Sequence, residues 1–204
     1  MFLKKLVVWL DLFLSWVKKR ICCGIPKKVY GDERIMRTIY HPANVDEKKG
    51  TVKPNFMRPP ASKDEDDPTI RSNKLSTTRY DYAGIEFCRC HARAHQSEPS
   101  RHYWGFGRFV VEQLVKPCRI DGRDYTCTID PKPVNDNPAH ANINLGFYLP
   151  PGEPLDSQLS QYTKRLAERA EIIKDPKPMS EEWTGEKIDE PRHRILLYNG
   201  GKRI

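Results

Sequence analysis

The sequence predicts an α+β domain, a small and mainly antiparallel sheet with flanking helices, preceded by an N-terminal amphipathic or membrane helix. Three observations lead there. Short apolar stretches that alternate with polar residues, at 125–129 and 142–149 among others, are separated by turn-forming residues, the pattern of half-buried strands joined by hairpins. In the segment 156–173, Leu155, Leu159, Tyr162, Leu166, Ala170 and Ile173 recur at spacings of three and four, the period of a helix with one buried face. The first 26 residues are apolar and basic in a way that nothing after them repeats.

That first segment runs from Leu6 to Val17 with Asp11 as its one charge, and Lys4, Lys5, Lys18, Lys19 and Arg20 flank it. At 1.5 Å per residue its twelve-residue core extends about 18 Å, short of the roughly 30 Å hydrocarbon layer of a bilayer. On a helical wheel Lys4, Asp11, Ser15 and Lys18 gather on one side, and Leu3, Leu6, Trp9, Leu10, Phe13 and Trp16 cover the rest, the layout of a helix lying in the membrane interface. Trp9 and Trp16 suit the headgroup boundary. The expected membrane-binding residues are therefore Lys4, Leu6, Trp9, Leu10, Phe13, Trp16, Lys18 and Lys19. A secretory signal is disfavoured by Asp11, by the basic run at 18–20 and by the lack of a small-residue cleavage site. A short spanning helix, or a helix packed on protein, are the competing arrangements. Cys22-Cys23 directly behind the segment is a candidate for acylation.

After Pro26 the chain reads as a charged connection, then a short strand at 38–42, a turn at 46–50 and a solvated acidic loop at 62–68. A strand is expected over 75–80, a helix over 82–95, and a strand over 107–115 pairing with 125–129 across the Asp121-Gly122 turn. The strand at 142–149, the helix at 156–173 and a last strand at 194–198 complete the set. The expected organisation is residues 1–26 as an anchor, 27–175 as one compact domain, and 176–204 as an extended tail.

Charge and cysteine usage narrow the function. The net charge is +8, but seven basic residues against Asp11 within 1–30 supply six of those charges. The body is thus nearly neutral, whereas a nucleic-acid module holds its basic excess on the folded surface. An excess piled around an apolar helix attracts anionic headgroups. Six cysteines, two of them adjacent, do not make a disulfide framework and point to a reducing compartment.

Three strings carry a resemblance. Tyr40-His41-Pro42 through Gly50-Thr51-Val52-Lys53-Pro54-Asn55-Phe56-Met57-Arg58-Pro59-Pro60, Leu75-Ser76-Thr77-Thr78-Arg79, and Asn137-Pro138-Ala139-His140-Ala141-Asn142-Ile143 resemble a group of uncharacterised bacterial proteins. That group shares a histidine ahead of a glycine-x-x-lysine stretch, a leucine-serine-x-x-arginine element and a proline-x-histidine-alanine element. The match covers roughly 37–173 and implies no activity. The N-terminal helix and the tail after Pro176 depart from the pattern, so membrane attachment is not inherited from it.

The same strings pick out His41, Lys53, Ser76, Arg79 and His140. Two imidazoles and a cation are the groups of a metal-independent ribonuclease, one base, one acid and one stabiliser of the charged phosphorane, which makes His41, Lys53 and His140 the candidate catalytic set. Against this, His140 is equally suited to fastening a turn and Arg79 to pairing with a carboxylate. A helical Cys88, His91 and His95 would share a face as metal ligands, but a fourth ligand, Cys118 or Cys127, would have to come from the hairpin. No bound metal and no cofactor are expected. Walker, dinucleotide, zincin and nucleophile-elbow motifs are absent. The sequence thus predicts a membrane-associated accessory or interaction protein with a cytoplasmic recognition domain, its partner a membrane surface or another protein met through 1–26. The alternatives are the ribonuclease, which alone takes nucleic acid as partner, and an oligomer of the apolar helices that disrupts a membrane.

Overall fold

The structure, a computed structural model, describes residues 25–96 and 102–193 and the backbone of 198–199 and 202–203. The expected anchor, with Lys4, Leu6, Trp9, Leu10, Phe13, Trp16, Lys18, Lys19 and the Cys22-Cys23 pair, lies outside the described residues. Among the described residues no helix is long and apolar enough to cross a membrane.

In chain order the elements are β1 (Arg34–His41), β2 (Val45–Asp46), β3 (Thr51–Val52), a 3₁₀ turn (Pro54–Met57), β4 (Lys74–Arg79), α1 (Tyr80–Ala94), β5 (His102–Val110), α2 (Val111–Leu114), β6 (Cys118–Ile120), β7 (Arg123–Tyr125), β8 (Thr128–Pro131), β9 (His140–Asn144), α3 (Ser157–Ala167) and β10 (Glu171–Lys174). Six strands form one sheet in the order β10-β5-β1-β4-β9-β8, every neighbouring pair antiparallel. A mainly antiparallel sheet with a few helices is the α+β class that the alternation predicts.

Both faces of this sheet are covered, because its strands alternate apolar residues in both directions. Ile35, Ile39, Leu75, Phe109 and Ile143 point to one side, where Phe56 of the 3₁₀ turn and Leu159, Tyr162 and Leu166 of α3 complete a core. Met36, Phe106 and Ile173 point to the other, where Tyr80, Phe87, Cys88 and Ala92 of α1 close a second core. Burying side chains of this size stabilises by about 1.5–3 kcal/mol each. Gly107 in β5 is required by the first core: a Cβ there would lie 2.6 Å from the Phe56 ring.

Several boundaries differ from those the sequence predicts. The strand expected over 107–115 ends at Val110, and the chain turns into α2; Val111 N–H still donates to Glu33 O in the register of the Arg34↔Val110 pair, and Glu112 N–H donates to Gly31 O. Asp121-Gly122 does make a hairpin, but between β6 and β7, and the strand expected over 125–129 is split, Tyr125 ending β7 and Thr128-Ile129 opening β8, which pairs with β9 rather than with β5. The helix expected to reach Ile173 ends at Ala167. It is capped at its start by Asp156, whose carboxylate accepts from Leu159 N–H at 2.7 Å. Ile172 and Ile173 fit a helical stripe and an alternating strand equally well, and the exposed edge of β5 takes them as β10. Helix α1 begins two residues earlier than expected and kinks at Gly84, whose φ of 74° lies in the left-handed region that glycine tolerates. Of the last expected strand, residues 194–197 lie outside the described residues, and Tyr198–Asn199 pairs with Lys202–Arg203.

Residues 176–193 carry no helix or strand and lie against α1. Arg89 donates to Ser180 O and Glu181 O, Tyr80 Oη–H to Asp189 O, and Trp183 and Ile188 pack on the α1 core.

Candidate functional site

The ladder between β1 and β4 consists of two pairs, Ile35↔Arg79 and Met36↔Thr78. Beyond Met36 the gap is spanned by a side chain: Arg37 donates from Nη1 to Ser76 O at 2.8 Å and from Nε to Phe56 O at 2.9 Å. On the α1 face of this opening, past the helix's C-terminal turn, lies a cleft of about 630 Å³ lined by residues of β1, β4, α1, β9 and the loops at 60–65 and 132–136. That volume falls in the usual range for a small-molecule site.

The polar groups in the cleft come from strand register. Thr78 faces His140 and Ser76 faces Asn142 across β4 and β9, so Ser76 and His140 are diagonal neighbours on one face, within reach of an imidazole. Ser76 Oγ lies 2.7 Å from His140 Nε2, and His140 Nδ1 lies 2.7 Å from the carbonyl oxygen of Lys132. A carbonyl only accepts, so the proton of the neutral ring sits on Nδ1, and Nε2 is left as the acceptor of the Ser76 hydroxyl. Burial pushes the His140 pKa below its ordinary 6.5, against the opposing effects of the Lys132 carbonyl and Asp136. The ring is therefore a neutral base at pH 7. Ser76 itself is exposed. Asn142, beside it, makes no side-chain hydrogen bond among the described residues.

A second group stands at the end of α1. His91 and His95, four residues apart, bring their rings to a centroid distance of 4.4 Å. Asp136 meets them from the β8–β9 loop, its Oδ2 2.6 Å from His95 Nε2 and 3.6 Å from His91 Nε2. Burial, helped by the neighbouring His95, pushes His91 down to about 4. Asp136 is held below the ordinary carboxylate value: partial burial acts the other way, but the His95 bond, a backbone hydrogen bond and the nearby His91 and His95 together outweigh it.

The candidate residues from the sequence divide between places. His140 is in the cleft, with Ser76. His41 lies against His102, the rings tilted by 42° with centroids 5.1 Å apart, and sits 3.5 Å from Glu47, and Lys53 donates from Nζ to Pro42 O. Lys53 lines a different, smaller hollow of about 360 Å³ with Asn55, Arg58 and Ser160. Neither His41 nor Lys53 lines the cleft that holds His140. Arg79 pairs with Glu33 at 2.5 Å, both buried. Cys88 packs in the α1 core, and Cys118 and Cys127 in the core on the opposite face, so the thiols do not join His91 and His95. Ser76 is legible in the leucine-serine-x-x-arginine string, but its partnership with His140 depends on a register that the sequence does not display. Asp136 has no signal beyond being one acid in a turn.

No family model, no curated protein and no solved structure matches this chain. The function is therefore argued from the site alone.

Proposed function

We propose that the folded body is a hydrolase of the acyl-transfer type, with Ser76 as nucleophile and His140 as general base in the cleft beside α1. The observation that carries this is the chain Ser76 Oγ, His140 Nε2, His140 Nδ1, Lys132 O, with 2.7 Å at each hydrogen bond. It has the arrangement of an activated nucleophile: a hydroxyl on a base whose far nitrogen is oriented by a third group. As Ser76 Oγ bonds to a substrate carbonyl carbon, its proton passes to Nε2, and the imidazolium then delivers that proton to the leaving oxygen or nitrogen. Water cleaves the acyl-serine by the same route in reverse, its proton moving to Nε2 and on to Ser76 Oγ. The Asn142 amide, next to Ser76 on the same face, is the side chain best placed to donate to the oxyanion. The cleft mixes Arg37, Lys63, Lys74 and Lys132 with Asp64, Glu65 and Asp136, so it offers no field of one sign to draw in a polyanion such as RNA. That charge balance favours a small polar ester or amide over the ribonuclease reading.

The test is labelling of the full chain with a fluorophosphonate, mapped by mass spectrometry, alongside hydrolysis of an activated nitrophenyl ester in EDTA. Ser76 is expected to carry the label, and Ser76→Ala to lose both label and turnover. His140→Gln is expected to slow hydrolysis by about a hundredfold or more. A wild-type protein that stays unlabelled, or a Ser76→Ala variant that labels equally, overturns the assignment.

The composition of residues 1–26 supports a separate proposal, that this body works at a membrane surface. The full chain is expected to pellet with anionic vesicles and a chain lacking 1–25 to stay in solution; equal partitioning of the two would refute it.

A further inference from the structure

We infer that His91, His95 and Asp136 form a binding site for a divalent transition-metal ion of the zinc class, with two imidazoles and one carboxylate as ligands and a fourth position open to the cleft.

The geometry is close to what such an ion requires. Each of the three residues offers one ligand atom, and these atoms lie within 4.8 Å of one another, one supplied by the half-buried His91 and the others by the exposed His95 and Asp136. With metal–ligand bonds of about 2.0–2.1 Å, two ligand atoms of a tetrahedral ion stand about 3.3 Å apart. The Asp136 Oδ2 separations of 2.6 Å and 3.6 Å from the two Nε2 atoms bracket that value, and the two histidine ligand atoms lie within 4.8 Å of each other.

The ligands are also held in place. His91 in the last turn of α1 and His95 as its C-cap are four apart, a spacing that brings two side chains to one side of the helix end, and His91 packs on Phe87 with ring centroids 6.0 Å apart. Asp136 is presented by a loop closed on itself, in which Val134 and Asn137 exchange backbone hydrogen bonds. The buried Asn137 then ties that loop to β4, its Nδ2 donating to Thr78 Oγ1 at 2.8 Å. A helix turn and a pinned loop on opposite sides of the cleft thus converge on one point. The residue types suit Zn²⁺ or Co²⁺, which accept imidazole and carboxylate together, better than the oxygen-preferring Mg²⁺ or Ca²⁺. Three protein ligands with one position left over is the layout of a zinc site that accepts water or a ligand, rather than of a closed structural site.

A metal at this point departs from the expectation of no bound metal, which weighed a thiolate from the hairpin as fourth ligand. The donor that converges with the histidines is instead Asp136, 41 residues from His95.

The test uses the full chain in reductant after chelator treatment, titrated with Zn²⁺ by calorimetry and with Co²⁺ by visible absorption. One equivalent of Zn²⁺ is expected to bind, and Co²⁺ is expected to give the intense bands of a four-coordinate nitrogen and oxygen site without a thiolate charge-transfer band. His91→Gln/His95→Gln should abolish that equivalent, and Asp136→Asn should weaken it at least tenfold, while melting in EDTA shows that each variant is folded. Cys88→Ser should bind as the wild type does. A wild type without a stoichiometric ion, a double variant that binds as tightly, or a thiolate band in the Co²⁺ spectrum each overturns the inference. Fluorophosphonate labelling of Ser76 in EDTA is a separate readout, so the metal site and the Ser76–His140 assignment can fail independently.

Discussion

At the N-terminal end of α1, Asp81 accepts from Arg34 Nε at 2.9 Å, from Arg34 Nη2 at 2.5 Å and from Arg34 N–H at 2.8 Å, with the Arg192 backbone N–H beside them. Glu33 and Arg79 next to it form a second buried pair, and Arg79 also donates to the carbonyls of Pro26 and Lys28. At the other end of the same helix, His91 and His95 share one carboxylate, and His140 shares one exposed hydroxyl. The first end is buried, and its carboxylates and guanidinium groups are bonded to one another and to backbone. The second is open, and its groups hold fewer partners than they can take. Charge in this protein is thus structural where it is buried and fully bonded. It is available for chemistry where α1 runs out over the cleft.

The largest effect expected from this contrast is on stability. Asp81→Ala leaves Arg34 buried without its carboxylate, and breaking a buried pair in this way costs about 3–5 kcal/mol. His95→Ala removes a histidine whose side chain is 52% exposed, and a surface ion pair contributes about 0–1 kcal/mol. Urea unfolding of both variants measures the difference. Equal losses would show that the two ends do not differ in kind.

The second prediction separates the ends by pH. Asp81 is held below its ordinary 3.8: burial opposes this, but the bonds from Arg34 outweigh it. Its contribution is therefore complete above about pH 4 and is lost as pH falls further. His140, lowered from 6.5 chiefly by burial, with Asp136, Lys132 and Glu65 as its charged neighbours, also binds fewer protons folded than unfolded. Its contribution is complete above about 6.5 and begins to disappear as soon as pH drops below that value. Melting temperature followed from pH 8 to 3 should fall in two stages. Asp81→Asn is expected to flatten the lower stage; the upper one belongs to His140 together with His91, which is lowered to about 4 by burial, so His140→Gln is expected to reduce it and the double variant with His91→Gln to flatten it. Loss of the upper stage in the Asp81 variant would break the assignment.

How far the sequence reveals each region follows from what fixes it. The pairing class of the sheet is legible because alternation is a local property, although the strand expected over 142–149 runs only from His140 to Asn144, and so is α3, whose stripe from Leu159 to Leu166 is local too. The two-faced burial is harder to see, because β1 places Ile35 and Met36 in different cores and its sequence, with Arg37 and Thr38 between Met36 and Ile39, shows no simple alternation. Boundaries fail where two periods fit the same residues, as at Ile172 and Ile173. The site is the least legible part. Ser76 and His140 are 64 residues apart, and a slip of one residue in the β4–β9 register would turn one of them to the opposite face. Nothing local in Lys132, whose carbonyl sets the tautomer, marks it as part of a site.

That last residue gives the smallest expected effect and a sharp test of the contrast. Lys132 has two separate attachments: its Nζ meets Asp66 at 2.9 Å on the surface, and its backbone oxygen holds His140. The Asp66 carboxyl, sitting between Lys74 and Lys132, is lowered to about 2, but the group is exposed and solvent screens its pairing. Lys132→Gln removes the ammonium and keeps the carbonyl. Its expected cost is within about 0.5 kcal/mol, as for an ordinary surface substitution, and ester hydrolysis and labelling at Ser76 should continue at the wild-type rate. If hydrolysis instead falls tenfold or more with stability unchanged, the ammonium acts in the cleft, and the line drawn here between surface charge and working charge lies one residue too far from His140.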